Sequence, residues 1–138
     1  MAKIILYYSL SGKTKVYAEK LASANNADLV EIREEKKRNG FTAFFPGVFQ
    51  ARGLKCSPIQ PLDVNLAGYE EITILGPIWA GRLAPAVNSA IALLPAGKIV
   101  SLIATSGGGG YNLSCTAALV TARNCTVKEE RCLSEKDL

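Results

Sequence analysis

Apolar residues in this chain fall in short unbroken runs, and polar or glycine-rich turns separate them. Lys3 to Tyr8 is such a run, and it predicts a strand buried on both faces, as in the middle of a parallel sheet. The turn Ser9-Leu10-Ser11-Gly12-Lys13-Thr14 ends it. Tyr17, Ala18, Leu21 and Ala22 then share one helical face. Asp28 to Ile32 reads as a second short strand, and the charges from Arg33 to Arg38 after it mark a sheet edge and a solvated loop. Strand, turn, helix, strand is a βαβ unit, which is normally right-handed.

The pattern repeats further along. Ile72 to Leu75 predicts a third strand, with Gly76-Pro77-Ile78-Trp79-Ala80-Gly81 as the loop that follows. Pro85 suits a first helical position, Val87, Ala90, Ile91 and Leu94 form an inner face, and Pro95 closes that helix. Lys98 to Ala104 is a fourth strand and gives way to Thr105-Ser106-Gly107-Gly108-Gly109-Gly110. A helix follows with Leu113, Thr116, Ala117 and Val120 on one side, then a fifth strand at Asn124 to Lys128. The sum is an α/β chain of three layers in one domain, residues 1–138.

Two stretches fit this scheme badly. Asn39 to Gln60 is basic, rich in Phe (Phe41, Phe44, Phe45, Phe49) and broken by Pro46 and Pro58; we expect a short helix and a long loop over the second crossover. After the fifth strand a covering helix is expected, and Ser134 with Asp137 has capping-box spacing, yet the sequence ends at Leu138. The closing helix is therefore expected to be missing or rudimentary, leaving an apolar sheet face uncovered.

Composition removes several kinds of chemistry. The 138 residues are 49% apolar and 20% charged, ordinary for one globular domain. There is no histidine, which excludes Ser-His-Asp and Cys-His catalysis, HExxH proteases and His-ligated metals. Cys56, Cys115, Cys125 and Cys132 lack CxxC spacing, so neither a zinc ribbon nor a dithiol redox motif is expected. We expect no metal site and packed, free thiols in a reducing cytoplasm. The start of the chain lacks a signal-peptide pattern, and no window approaches the roughly 18 apolar residues of a membrane span. Sixteen Lys+Arg against 12 Asp+Glu leave a net charge of +4, too mild to demand nucleic acid.

Three strand-end loops should meet at the carboxyl edge of the sheet, where open α/β sheets bind ligands. The first places hydroxyls at Ser9, Ser11 and Thr14 around Gly12, directly before a helix N-terminus. Backbone N–H groups and the helix dipole there favour an anion, and neither histidine nor metal is needed. Gly12-Lys13-Thr14 mimics the end of a Walker A loop, but the required first glycine would fall on Tyr7. The glycines at 107–110 do not continue as GxGxxG, because Asn112 holds the last place. A nucleotide hydrolase and a dinucleotide fingerprint are both disfavoured.

From Ile5 to Leu21 the chain resembles the flavodoxin signature. Ile5, Leu6 and Tyr7 are followed by the hydroxyl of Ser9, the small Gly12, Thr14, Ala18 and Leu21, each in its required place. Gly76-Pro77-Ile78-Trp79-Ala80-Gly81, with Pro85-Ala86 beyond, is similar to the second loop of short bacterial flavodoxin-like proteins, and Thr105 to Gly109 to their third. The resemblance implies a three-layer flavodoxin-like fold, with a five-stranded parallel sheet of order 2-1-3-4-5, and one noncovalently bound FMN. It assigns Ser9, Ser11, Gly12, Lys13 and Thr14 to the phosphate. Pro77, Ile78, Trp79, Ala80 and Gly81 fall beside the flavin ring, and Ser106, Gly107, Gly108 and Gly109 on its other side. Tyr111 is a candidate second aromatic wall. No side chain need act as acid or base, since the flavin carries the redox chemistry.

The implied role is electron transfer, with a redox protein or a small-molecule acceptor as partner. Two alternatives stand beside it: an FMN-dependent NAD(P)H or quinone reductase, and a truncated relative that has lost FMN. Electron carriers of the family are typically acidic, and a net charge of +4 departs from that. The uncovered sheet face suggests a homodimer. Neither nucleic acid nor a membrane is expected as a partner.

Overall fold

The computed structural model describes residues 2–10, 12–35, 56–79, 82–105 and 112–134. Its elements are β1 (Lys3–Tyr7), α1 (Lys13–Asn25), β2 (Asp28–Glu31), β3 (Glu71–Trp79), β4 (Arg82–Leu83), α2 (Pro85–Ile91), β5 (Ile99–Thr105), α3 (Ser114–Thr121) and β6 (Thr126–Leu133). A single 3-10 turn at Leu66–Gly68 precedes β3. The five longer strands run parallel in the order β2-β1-β3-β5-β6, which is the expected 2-1-3-4-5 order once the short β4 is set aside.

The expected helix within Asn39 to Gln60 falls mostly outside the described residues, as does Asp137 of the capping-box spacing. What is described of the first stretch is its return: Glu34 and Ile59 form an antiparallel bridge, with Glu35 N–H donating to the Pro58 carbonyl and Gln60 N–H to that of Arg33.

Three boundaries differ from the sequence reading. β3 does not stop at Leu75. It pairs onward with β5 through Gly76–Ala104 and Pro77–Thr105, and then turns back on itself, Ile78 and Trp79 pairing antiparallel with Leu83 and Arg82. A Gly-Pro step reads as punctuation, but the β1 ladder ends at Leu75, so Pro77 lies beyond it and a missing N–H is tolerated there. β6 runs to Leu133 rather than Lys128, past a register shift opposite Val100/Ser101. Its Lys-Glu-Glu-Arg centre hides it from a hydrophobic reading, and such charges are what protect an edge strand from pairing with another chain. Finally, α2 ends at Ile91, and Leu94 reaches the core from the turn beyond.

Helices cover both faces unequally. The larger cluster joins Leu6, Ile72, Ile74, Val100 and Leu102 to Val87, Ile91 and Leu94 around α2 and to Val120 of α3. The smaller one packs Tyr17 and Ala18 of α1 onto Ile5, Tyr7, Leu75, Ile103 and Leu133. Beside α1, a groove of about 130 Å³ crosses this second face. Its walls are mixed rather than apolar: Thr73, Ser101, Glu129 and Arg131 lie beside Ile5, Ile99 and Ile103. The charges pair among themselves, Glu71 with Lys128 at 3.2 Å and with Lys3 at 3.6 Å, and Glu129 with Arg131 at 3.8 Å. Among the described residues, no helix is long and apolar enough to cross a membrane.

Candidate functional site

The carboxyl edge of the sheet is organised around the exit of β1. Tyr8 N–H donates to the Leu75 carbonyl at 3.0 Å, which extends the strand by one residue before the chain leaves it. The turn that follows is closed by Gly12 N–H donating to Ser9 Oγ at 2.9 Å. Gly12 has φ 95°, a left-handed conformation that costs glycine little and other residues more. A Cβ there would meet nothing within 4 Å, so the demand for glycine comes from the backbone and not from crowding.

Gly12 is also the N-cap of α1. The helix has no side-chain cap and no acidic residue in its first turn, while Lys13 and Lys15 stand there. The first N–H groups of a helix lack intrahelical acceptors, and the dipole makes this end positive. The loop thus presents donors, a left-handed glycine and two cations at one helix end, an arrangement that favours an anion such as a phosphate. Thr14 is in place but not exposed: it is 3% accessible, and its hydroxyl lies 2.8 Å from that of Thr105.

The second group of candidate residues stands on the strand-end hairpin instead of an open loop. Pro77, Ile78 and Trp79 belong to β3, and Ala84 N–H donates to the Pro77 carbonyl at 3.0 Å, fixing the return strand. Trp79 is half-buried, and its ring meets Tyr8 edge-on, with centroids 5.9 Å apart and an interplanar angle of 78°. Such a contact is favourable beyond the area it buries. The Tyr8 hydroxyl in turn donates to Glu34 Oε1. Ser11, Ala80, Gly81, Ser106, Gly107, Gly108, Gly109 and Tyr111 lie outside the described residues.

The structure therefore joins the first loop to β3 through Tyr8–Trp79 and to β5 through Thr14–Thr105. Tyr8, Glu34 and Thr105 are absent from the sequence-based site. Tyr8 reads as the last residue of an apolar run, and Thr105 as the residue before a glycine loop. On the β2 side, a cleft of about 460 Å³ opens next to the first loop, lined by Tyr8, Ser9 and Leu10 and by Glu31, Arg33, Glu34 and Gln60. Burial pushes the Tyr7 phenol above its ordinary value, and Glu31 adds to the shift, so Tyr7 stays protonated across the neutral range. Among the described residues there is no group of His, Cys, Asp or Glu able to hold a metal ion.

No protein-family model matches the chain, and no curated protein matches it significantly. Solved structures do. A flavoprotein of Lactobacillus acidophilus NCFM, crystallised in complex with FMN, is 25% identical with a TM-score of 0.80, over 95% of this chain and 92% of that one. A proposed flavoprotein of Bacteroides eggerthii DSM 20697 is 26% identical with a TM-score of 0.82, over 98% and 91%. A flavodoxin from the domain Archaea shares the fold at 20% identity and a TM-score of 0.59, over 99% and 88%. In strand order, and by likeness over nearly its whole length to these solved structures, the chain has a flavodoxin-like fold.

Proposed function

We propose that the chain binds one FMN noncovalently at the carboxyl edge of its sheet and passes electrons through it. The observation that carries this reading is the first loop. A left-handed Gly12 closed onto Ser9 stands at an uncapped, lysine-flanked helix N-terminus, in a chain that is similar along its length to a flavoprotein crystallised with FMN. The residues present fit the cofactor. Ser9, Ser11, Gly12, Lys13 and Thr14 would hold the phosphate. Pro77, Ile78, Trp79, Ala80 and Gly81 would flank the ring on one side, with Ser106, Gly107, Gly108, Gly109 and Tyr111 on the other.

When bound, FMN supplies one- and two-electron chemistry, and the protein supplies orientation and electrostatics. Tyr8 holds the Trp79 ring at a fixed angle, so the indole is set before any ligand arrives. Lys13 and Lys15 at the positive end of α1 offset phosphate charge. The net charge of +4 supports an acidic redox protein or an anionic acceptor as the partner. Cys56, Cys115, Cys125 and Cys132 form no disulfide, which supports a reducing compartment, the cytoplasm.

One observation favours the reductase alternative. The cleft beside Ser9 has room for part of a second substrate next to the first loop. Purified protein should carry flavin absorbance bands that bleach on anaerobic reduction. Steady-state oxidation of NADPH or NADH would then separate the two roles: turnover establishes a reductase, and its absence with an intact, reducible flavin establishes a carrier.

A further inference from the structure

We propose that Thr105 is a positioning residue for anion recognition at the first loop, because its hydroxyl decides which way the Thr14 hydroxyl proton points. This rests on the FMN reading above and extends it to a side chain which that reading does not use. The two oxygens lie 2.8 Å apart, in a pair where either can donate. Both side chains are almost fully buried, at 3% for Thr14 and 6% for Thr105, so the pair is settled by protein groups and not by bulk water. Thr105 Oγ1 also lies 3.5 Å from the Gly76 carbonyl oxygen, which can only accept.

A hydroxyl owns a single proton and two acceptor sites, so three oxygens in a row allow two arrangements. In the first, Thr105 donates to Gly76 and Thr14 donates to Thr105. The Thr14 proton is then turned inward, and the first loop has one donor fewer. In the second, Thr105 donates to Thr14, which fixes the Thr14 proton outward, toward an anion at the start of α1, and polarises that hydroxyl into a stronger donor than it is without Thr105. At 3.5 Å the Gly76 contact is a weak hydrogen bond, whereas a hydrogen bond to a phosphate oxygen is charge-assisted and stronger. A phosphate therefore drives the pair into the second arrangement.

Thr105→Val removes the hydroxyl with little change of shape, and Thr105→Ser retains it. Dissociation constants for FMN and for riboflavin, which lacks the phosphate, are measured on each protein by quenching of flavin fluorescence. Thr105→Val should weaken FMN by about tenfold while riboflavin stays within about twofold, and Thr105→Ser should recover most of the FMN affinity. Equal weakening of both flavins, or no weakening of FMN, overturns the proposal and leaves the FMN reading intact. If Thr105→Val does not fold, Thr105→Ala takes its place in the same comparison. If the unaltered protein binds neither flavin, the FMN reading falls. Titration with inorganic phosphate, followed through the Gly12 and Thr14 amide resonances, then decides this proposal: weaker phosphate binding by Thr105→Val sustains it, and equal binding overturns it.

Discussion

Gly76→Ala isolates the closest approach between the sheet and α2. An ideal Cβ at Gly76 would lie 2.4 Å from Val87 Cγ2, far inside the ~3.5–4.0 Å of an ordinary carbon–carbon contact. Its next neighbour, Leu83 Cδ2 at 3.7 Å, is unstrained. Val87 cannot turn aside cheaply, since a β-branched side chain in a helix holds one rotamer and every residue of α2 is buried. Overpacking of this kind costs about 1–3 kcal/mol. Alanine also narrows the unfolded ensemble, which offsets about 0.5 kcal/mol. The expected net loss is about 1.5 kcal/mol, or a fall in Tm of about 5 °C for a chain of this size. Urea unfolding of Gly76→Ala, Val87→Ala and the double variant tests the cause. If the Val87 methyl is the obstacle, Gly76→Ala should cost almost nothing once Val87 is alanine, a coupling of about 1–2 kcal/mol. Additive losses, or a Gly76→Ala protein as stable as the parent, would refute this reasoning.

Two further outcomes follow from buried and paired polar groups. Ser89 Oγ accepts the Ser57 N–H at 2.9 Å and donates to the Ser57 carbonyl, pinning the segment before β3 to α2. Ser89→Ala orphans both backbone groups and should cost about 2 kcal/mol in urea unfolding; a loss under about 0.5 kcal/mol would contradict the buried pairing. Glu71 is held below the usual carboxylate range by the hydrogen bond from Lys128 first, and by the charges of Lys128 and Lys3. A carboxyl with a depressed folded pKa adds stability above its unfolded value near 4.5 and loses it as pH falls through the folded pKa. Lys128→Met should therefore be less stable than the parent near neutral pH and converge with it in acid, with a gap that shrinks in high salt. A gap constant down to about pH 3 would show that Lys128 acts by packing instead.

Much of the fold was legible because buried parallel strands write themselves as apolar runs. β1, β2 and β5 fall within a residue or two of where Lys3 to Tyr8, Asp28 to Ile32 and Lys98 to Ala104 place them. Where the hydrophobic signal is interrupted for another purpose, the reading fails. Gly76 is small so that α2 can approach, and Pro77 lies past the β1 ladder, so a dipeptide that looks like a turn sits inside β3. The charged centre of β6 protects an edge and conceals the strand.

In the site, Gly12 was legible because its role is local: a glycine before a helix, with a left-handed backbone to match. Thr105 was not, because its partner Thr14 is 91 positions away and only the fold brings the hydroxyls together. The Tyr8–Trp79 contact is likewise tertiary, set by the register of β1 against β3.

Equilibrium titration of free FMN with the purified, flavin-free protein tests the central claim most directly. The account predicts saturable quenching of flavin fluorescence at one FMN per chain, with riboflavin bound more weakly for want of the phosphate that the Gly12 loop receives. FMN fluorescence that stays unchanged at a large excess of folded protein would contradict it.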